Sequence, residues 1–249
     1  MNSGNISMNS VERVKTGISE LDDLLHGGFI KNSSTVITGG VGTGKTILSL
    51  QFLWNGAKTY NEPGLLITID ESPAELRREA AMFGWDLKEL EEANPPLLAI
   101  IDIATPRAGL PSDERYTLRE LDLPLIIKKI YDTHKEINAK RAVVDSLSAL
   151  GFRYDSLGKI RSIIFQLTSF LNELEVTSLM TVESPENSSI SRFGIEEFLA
   201  QGVIQLFLRD DDAGNLKRNL QIRKMRSTQH SLKNFFFEIS DKGIVILSS

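Results

Sequence analysis

The residues best suited to do chemistry lie between positions 39 and 46, in the run GGVGTGKT. The run fits the pattern G-x-x-x-x-G-K-[ST]. Its glycines allow positive φ angles and let successive backbone N–H groups approach phosphate oxygens. Lys45 can reach the β- and γ-phosphates of a nucleotide, and the Thr46 hydroxyl is a suitable Mg²⁺ ligand. The run therefore predicts a phosphate-binding loop.

The segments on either side of the run have the character that such a loop requires. Residues 35–38 are β-branched and predict a strand, and residues 47–53 have a broad apolar face that predicts a helix. A helix that begins near Lys45 directs the positive end of its dipole at the bound anion. The alternative, a glycine-rich turn that matches by accident, does not account for a strand and a helix in these positions.

Carboxylates at predicted strand ends supply the other parts of a hydrolytic site. Asp145 follows the predicted strand residues 141–144, of which the last three are apolar, and ligands sit at the carboxyl edge of an open parallel sheet, so we predict that Asp145 holds Mg²⁺ through water. Asp70 and Glu71 follow the run 65–69, and one of them is our candidate for the general base that polarises the attacking water. Alternatively, both only cap the next helix.

A third predicted strand, 176–182, leads into Glu183. Thr181 and Glu183 are candidates for sensing a γ-phosphate. The two histidines with a defined context are not expected to be catalytic: His26 reads as a surface or cap residue beside a glycine pair, and His134 as a partly buried residue of a helix.

Apolar runs and helical patterns alternate along most of the chain, which predicts an α/β fold with a mostly parallel central sheet flanked by helices. Strands near the C-terminus follow one another without helices and should extend the sheet as antiparallel edge strands. Helices are expected at 19–24, with Ser19 as the cap, at 73–84, from Pro124 onward with Tyr131 on the packed stripe, and at 160–174. Residues 104–116 read as a loop. The four C-terminal strands are expected at 203–208, 216–225, 234–239 and 244–247.

Composition narrows the class of protein. With 249 residues, 24% charged and 41% hydrophobic, the chain reads as one ordinary globular domain, which we expect over 13–249. The 28 Lys and Arg against 33 Asp and Glu give a net charge of −5, which argues against a general nucleic-acid binder. The absence of cysteine excludes disulfides and thiol chemistry. Lacking a secretory signal or an apolar span, the protein is expected to be cytoplasmic, without a membrane partner, and to have a disordered tail at 1–12.

These segments, in this order, resemble the KaiC-type branch of the RecA superfamily of ATPases. The similarity covers nearly the whole chain after the tail. It is carried by TGISELDDLLHGGF at 16–29, GGVGTGKTILSLQFLWNGA at 39–57, ITIDESPAELRREAAMFGWDL at 67–87, RAVVDSLSAL at 141–150, SRFGIEEF at 191–198 and KMRSTQH at 224–230.

The resemblance implies a RecA-like core, a ring of six copies and an ATP at each subunit boundary. Asp70 and Glu71 match the paired catalytic glutamates of the family, with Lys45 acting on the phosphates and Thr46 and Asp145 on Mg²⁺. The segment 224–230 matches one that reaches the nucleotide of the neighbouring subunit. The nucleotide-binding residues implied are Gly40, Val41, Gly42, Thr43, Gly44, Lys45, Thr46 and Ile47, with Lys224, Arg226, Thr228 and His230 from the neighbour.

The chain departs from the family pattern at several points. It has one domain where KaiC has two, so the clock function does not carry over. Asp70 stands where glutamate is usual, which suggests slow hydrolysis or a transfer of the role to Glu71. Ser227 stands where glycine is usual. Residues 196–198 have no adjacent hydroxyls, so autophosphorylation is not expected there.

Our first interpretation is a slow, Mg-dependent ATPase that assembles through nucleotide-bridged interfaces and regulates an unknown protein partner. A DNA recombination or repair accessory of the RecA/RadA type is a second possibility, because the loop 184–197 lies where such proteins bind single-stranded DNA. That loop contains Arg192 and Phe193 but also several glutamates, whereas a single-strand groove should be cationic and aromatic. A third is a scaffold that binds ATP without hydrolysing it, and a phosphoryl transferase also remains open.

Overall fold

The computed structural model describes residues 11–184, 194, 199–211 and 214–247. The predicted tail at 1–12 lies outside this part of the chain except for its last two positions, and its disorder stays a prediction. The described chain opens with two short strands around a short helix: β1 (Arg13–Val14), α1 (Ser19–Leu24) and β2 (Phe29–Ile30). Strands β1 and β2 pair antiparallel as a sheet of their own.

The central part alternates strands and helices. Its elements are β3 (Ser34–Gly39), α2 (Lys45–Tyr60), β4 (Gly64–Thr68), α3 (Pro73–Ala81), α4 (Leu87–Glu92), β5 (Leu98–Asp102), α5 (Ala104–Arg107), β6 (Tyr116–Thr117), α6 (Leu123–Ile137), β7 (Arg141–Asp145), α7 (Leu150–Arg153), α8 (Leu157–Glu173) and β8 (Thr177–Glu183). A 3₁₀ turn, Leu147–Ala149, joins β7 to α7. The described C-terminal part consists of β9 (Gly202–Asp210), β10 (Leu216–Met225), β11 (Asn234–Ser240) and β12 (Gly243–Ile246).

Ten strands form one sheet in the order β12-β11-β10-β9-β3-β8-β7-β4-β5-β6. From β9 to β6 neighbouring strands run parallel, and from β9 to β12 they run antiparallel. The predicted α/β fold, with a mostly parallel sheet and antiparallel strands at the C-terminal edge, is therefore confirmed.

Both faces of the parallel strands are covered, which explains their nearly continuous apolar runs. Successive residues of a strand point to opposite faces. Leu66 and Val143 belong to the core beneath α1, α2, α3 and α4, whereas the next residues, Ile67 and Val144, belong to the core beneath α6 and α8. No helix in the described part of the chain is both long enough and apolar enough to cross a bilayer.

Two predicted helix boundaries are wrong. Ile18 occupies the capping position of α1, so Ser19 is already helical. Helix α3 ends at Ala81, before the predicted end at 84, because the chain tightens there: the Gly84 N–H donates to the Ala81 carbonyl, three residues earlier, at 3.0 Å.

The predicted loop 104–116 contains the short helix α5 and the first residue of β6. The Asp102 carboxylate accepts the Thr105 N–H at 3.0 Å and so satisfies a free donor of the first turn, where Pro106 is tolerated. Tyr131 was predicted on the packed stripe of α6 but is exposed. The buried stripe of α6 consists of Leu123, Ile126, Ile130, Thr133 and Ile137.

Arg141, the first residue of β7, is fully buried and lies against α2. Its guanidinium pairs with the Glu62 carboxylate at 2.6 Å and donates to the Phe52 carbonyl at 2.8 Å. Gly56 of α2 makes room for it: a Cβ at Gly56 would lie 2.4 Å from the Arg141 Cδ. A glycine within this helix is therefore required by a side chain 85 positions later (141 − 56).

We expect Gly56→Ala to lower the free energy of unfolding by about 2 kcal/mol, because the added methyl group overpacks a site that Arg141 fills. The measurement is urea unfolding followed by circular dichroism. Gly158→Ala is the matched control, since its Cβ would meet only the Ser156 hydroxyl at 3.7 Å. That variant should be as stable as wild type or up to about 1 kcal/mol more stable. Equal stabilities of the two variants would show that Arg141 moves aside without cost.

Candidate functional site

The glycine-rich loop joins β3 to α2 at the carboxyl edge of the sheet, as its sequence predicts. Gly42 and Gly44 have φ angles of +73° and +94°, in the left-handed region that favours glycine. Gly39 is constrained by contact instead, because a Cβ there would lie 2.4 Å from the Leu206 carbonyl oxygen. Val41 is exposed at the tip of the loop, and Ile47 is half-buried in the first turn of α2.

Lys45 is half-buried and folds back over this loop. Its Nζ donates to the carbonyl oxygens of Gly39 and Gly40, both at 2.9 Å, and the Thr43 hydroxyl also donates to Gly40 at 2.8 Å. Burial lowers the pKa of Lys45, and nearby carboxylates, Asp145 foremost, oppose that shift. The ammonium group is thus held over the loop by two carbonyl oxygens.

Asp145 ends β7 and is buried beside the loop. The Thr181 hydroxyl donates to its carboxylate. Burial raises the pKa of Asp145, while hydrogen bonds from Thr181 and Thr46 and the charge of Lys45 oppose the rise. Thr181, a candidate phosphate sensor, is itself fully buried and directs its hydroxyl at Asp145.

Asp70 and Glu71 follow β4 and face different neighbours. One Asp70 oxygen pairs with the Arg107 guanidinium at 2.8 Å, and the other accepts the Ser146 hydroxyl at 2.6 Å. Glu71 is half-buried, and its carboxylate lies 3.5 Å from the Thr46 hydroxyl. Ser72 and Glu75 provide the capping box of α3, so helix capping does not account for this pair of carboxylates.

The pKa of Glu71 is raised to about 7, first by burial and then by the negative charge of Asp145. The folded protein therefore keeps a proton that the unfolded chain releases above its usual pKa of 4.5. The stability that this provides is fully present below pH 4.5 and is lost as the pH rises to about 7.

We expect the stability of nucleotide-free wild type, relative to Glu71→Gln, to fall as the pH rises from 4.5 to about 7. Urea unfolding of both proteins across this range measures the difference. Glu75→Gln is the control: Ser72 lowers the pKa of Glu75, so the difference for Glu75 should stay constant across this range and decrease only as the pH falls below 4.5. If the difference in the free energy of unfolding between wild type and Glu71→Gln does not change with pH, the pKa of Glu71 is not raised in the folded protein.

The loop and these carboxylates line one cleft of about 380 Å³. The structure brings together most of the residues predicted for the site and adds four that were not predicted. Ser146 follows Asp145 directly, so strand-end reasoning could have included it; Glu79 lies on α3, the helix that begins after Glu71. Arg218 and Ile239 come from β10 and β11, and no local pattern indicates them. The lining residues are Val41, Gly42, Gly44, Lys45, Thr46, Ile47, Asp70, Glu71, Glu79, Asp145, Ser146, Glu183, Arg218 and Ile239.

The segment 224–230 lies at the opposite edge of the sheet. Met225 pairs with Gly202, and Gly202 pairs with Thr35 near the start of β3, whereas the loop follows Gly39 at its end. Thr35 and Gly39 are four strand residues apart, so about 13 Å along the strand direction separates Met225 from the start of the loop. Within one chain, the structure therefore does not bring Lys224, Arg226, Thr228 and His230 to the residues of the cleft.

A family model for the KaiC ATPase matches residues 14–249. The chain belongs to the KaiC family of ATPases. A UPF0273 protein of Pyrococcus furiosus is 39% identical over 239 residues, which are 95% of this chain and 94% of that protein. The circadian clock oscillator protein KaiC of Prochlorococcus marinus is 37% identical over 239 residues. This chain spans about half of the length of that KaiC protein, 45%.

A solved structure of a KaiC-like protein from the archaeon Pyrococcus horikoshii superposes with a TM-score of 0.81 at 40% identity. The match covers 96% of this chain and all of that one (100%). It confirms the predicted KaiC-like, RecA-type core. Membership of the KaiC family also implies nucleotide binding, which agrees with the cleft around Lys45.

One expectation from the DNA-binding alternative and one from the KaiC resemblance fall on residues outside the described part of the chain. These residues are Arg192 and Phe193 of the predicted loop 184–197, and residues 196–198, where adjacent hydroxyls were not found. Ser227 is described, and its φ of +50° lies in the left-handed region that favours the glycine expected there from the resemblance. The turn expected from a glycine is therefore kept with a serine.

Proposed function

We propose that this chain binds Mg·ATP on residues 40–47 and hydrolyses it slowly at subunit boundaries of a ring, as a regulatory protein. One observation carries the proposal. The loop, Asp145 and Glu71 share one cleft, while the matching cations of 224–230 lie at the far edge of the same sheet. A complete site then needs two subunits. We further infer that residues 13–249 act as one domain.

In the proposed complex, backbone N–H groups of the loop and the positive end of α2 receive the phosphates. Lys45 leaves its carbonyl partners for the β- and γ-phosphates. Thr46 and Asp145 would hold Mg²⁺, which supplies positive charge to the leaving phosphates. In the described part of the chain, no three His, Asp or Glu side chains lie close enough together to hold a metal ion by themselves. A hydroxyl and one carboxylate are nevertheless sufficient, because Mg²⁺ keeps several waters.

We assign the general base to Glu71. Its carboxylate lies in the cleft, 3.5 Å from the Thr46 hydroxyl, where it can accept a proton from a water beside the phosphates. Both Asp70 oxygens are already engaged, by Arg107 and Ser146, so Asp70 must break an ion pair or a hydrogen bond before it can accept a proton. In the proposed mechanism the attacking water gives its proton to Glu71, and Asp70 stays paired with Arg107 and Ser146.

We assign Lys224, Arg226, Thr228 and His230 to the site of the adjacent subunit. The Arg226 side chain is exposed, and its backbone N–H is fixed by the Gln201 carbonyl at 3.0 Å. A cation held this way can stabilise charge that develops on a phosphoryl group across a boundary. Because these residues lie far from the loop of their own chain, a lone subunit has no such cation in its cleft, and hydrolysis should depend on assembly. We propose a regulatory role because assembly would then control the rate.

Mixing two inactive variants tests the shared site. Glu71→Gln removes the proposed base of one half-site and leaves Mg·ATP binding in place, so this variant still assembles, and Arg226→Ala removes the cation of the other half-site. In an equal mixture, random assembly leaves about a quarter of the boundaries intact, so phosphate release should recover to about a quarter of the wild-type rate. As the control, each variant alone should remain inactive, since every boundary then lacks either the base or the cation. No recovery in the first mixture would contradict the proposal.

A further inference from the structure

The segment 226–230 leaves the end of β10 through an unfavourable turn. Ser227 has a φ of +50°, in the left-handed region that is unfavourable for a residue other than glycine. Such a conformation persists only when surrounding contacts hold it. Because Arg226 is exposed on one side of this turn and Thr228 follows on the other, the shape of the turn decides where the Arg226 cation is presented.

Contacts from the beginning of the chain hold this turn. The Arg13 guanidinium donates to the Ser227 carbonyl at 3.3 Å and to the Thr228 hydroxyl at 2.9 Å. Its other terminal nitrogen donates to the Gly28 carbonyl at 3.1 Å, which ties the turn to β2. The planar guanidinium thus joins three oxygens from two distant parts of the sequence in fixed directions.

His26 makes a second contact one residue further along. Its Nε2 lies 2.6 Å from the Gln229 carbonyl oxygen. The glycines after His26 allow the chain to pack closely against β1: a Cβ at Gly28 would lie 2.2 Å from the Val14 carbonyl oxygen. A Cβ at Gly27 would lie 3.3 Å from the Arg13 Cδ. In the run His26-Gly27-Gly28, the histidine contacts the segment 226–230 and the two glycines leave room for β1.

We propose that Arg13 and His26 are positioning residues that fix the turn at Ser227 and so set the Arg226 cation for the active site of the neighbouring subunit. This inference rests on the proposed function, because it assumes that Arg226 acts across a boundary. Neither residue touches the nucleotide in this account. They act through the backbone of the turn and the Thr228 hydroxyl. Under this proposal, residues in and near β1 and β2 influence the rate of hydrolysis in the next subunit.

The test compares steady-state ATP hydrolysis by full-length Arg13→Ala, Arg226→Ala and the double variant, in Mg·ATP. We expect Arg13→Ala to lower kcat about tenfold with little change in KM, because binding of ATP by the loop is untouched. The double variant should be slower than Arg226→Ala alone by much less than tenfold, since Arg13 acts mainly by placing the Arg226 cation. Lys31→Ala is the matched control, because Lys31 pairs with Glu12 in the same N-terminal unit at 2.6 Å. It should retain the wild-type kcat.

A second change separates positioning from general stability. Ser227→Gly removes the cost of the left-handed turn, so it should restore part of the kcat lost in Arg13→Ala. If Arg13→Ala does not fold, Arg13→Lys carries the test, since it keeps the charge but not the fork of donors. If Arg226→Ala is slow while Arg13→Ala retains the wild-type kcat, or if the two losses multiply, the inference is wrong and the proposed function stands. If Arg226→Ala is itself as fast as wild type, the proposed function fails and the inference with it.

Discussion

Lys45→Ala weakens Mg·ATP binding about a hundredfold and abolishes ATP-dependent association, the expected result if the loop is the phosphate site. The ammonium group already sits over the loop, 2.9 Å from two of its carbonyl oxygens, so it needs only a small movement to meet a phosphate. Its loss leaves negative phosphate charge without its nearest cation. Calorimetry measures the affinity, and light scattering with and without Mg·ATP measures the mass of the species.

Lys58→Ala is the matched control, because it removes a lysine from the same helix. Lys58 pairs with Glu89 at the surface, 2.7 Å away, and should affect neither binding nor association. Wild type should move to a discrete species near six protomers. A broad series of masses would indicate a filament and favour the recombination alternative. Wild-type affinity in Lys45→Ala would show that the phosphate site is assigned wrongly.

Glu71→Gln lowers the rate of phosphate release about a thousandfold and leaves Mg·ATP binding within a few-fold of wild type. The amide keeps the shape of the side chain but cannot accept the proton of the attacking water. Asp70→Asn should lose at most about tenfold, since Asp70 is held by Arg107 and Ser146. Single-turnover assays of phosphate release separate this chemical step from the release of product.

Glu79→Gln is the control for the electrostatics of the cleft. Glu79 lines the same cavity, and burial and Asp145 also raise its pKa, but we assign it no part in the reaction. It should retain the wild-type rate within a few-fold. If Asp70→Asn is the slower variant, Asp70 is the base and its ion pair with Arg107 opens during the reaction. If wild type releases no phosphate at all, the protein is an ATP-dependent scaffold.

Local chemistry explains why much of the site could be predicted from the sequence. The loop is defined by adjacent glycines and the lysine and threonine that follow them, and its neighbours form the strand and the helix it needs. Asp145 and Glu71 were predicted because apolar runs end at carboxylates, and parallel strands bring such ends to one edge. These features depend on residues within a few positions of one another.

The features that were missed depend on contacts between distant residues. Arg218 reaches the cleft from β10, and its Nε donates to the Gly42 carbonyl at 3.2 Å, 176 positions away in the sequence. The ion pair between Asp70 and Arg107 joins the turn after β4 to α5, a helix in a stretch that was predicted to be a loop. The pairing register of β10 with β9 and of β9 with β3 decides at which edge of the sheet 224–230 lies. The sequence of a single strand does not determine its register with a neighbour.

The loop 39–46 and the segment 224–230 lie at opposite edges of the sheet, so each protomer has two different surfaces. Under the proposed function, the edge with Arg226 contacts the edge with the loop of the next protomer. Such a contact is heterologous, because it joins unlike surfaces. An isologous, two-fold dimer pairs each surface with itself and leaves both sites incomplete. Under the proposed function, assembly is therefore head to tail, and only cyclic closure supplies every protomer with a partner on both sides.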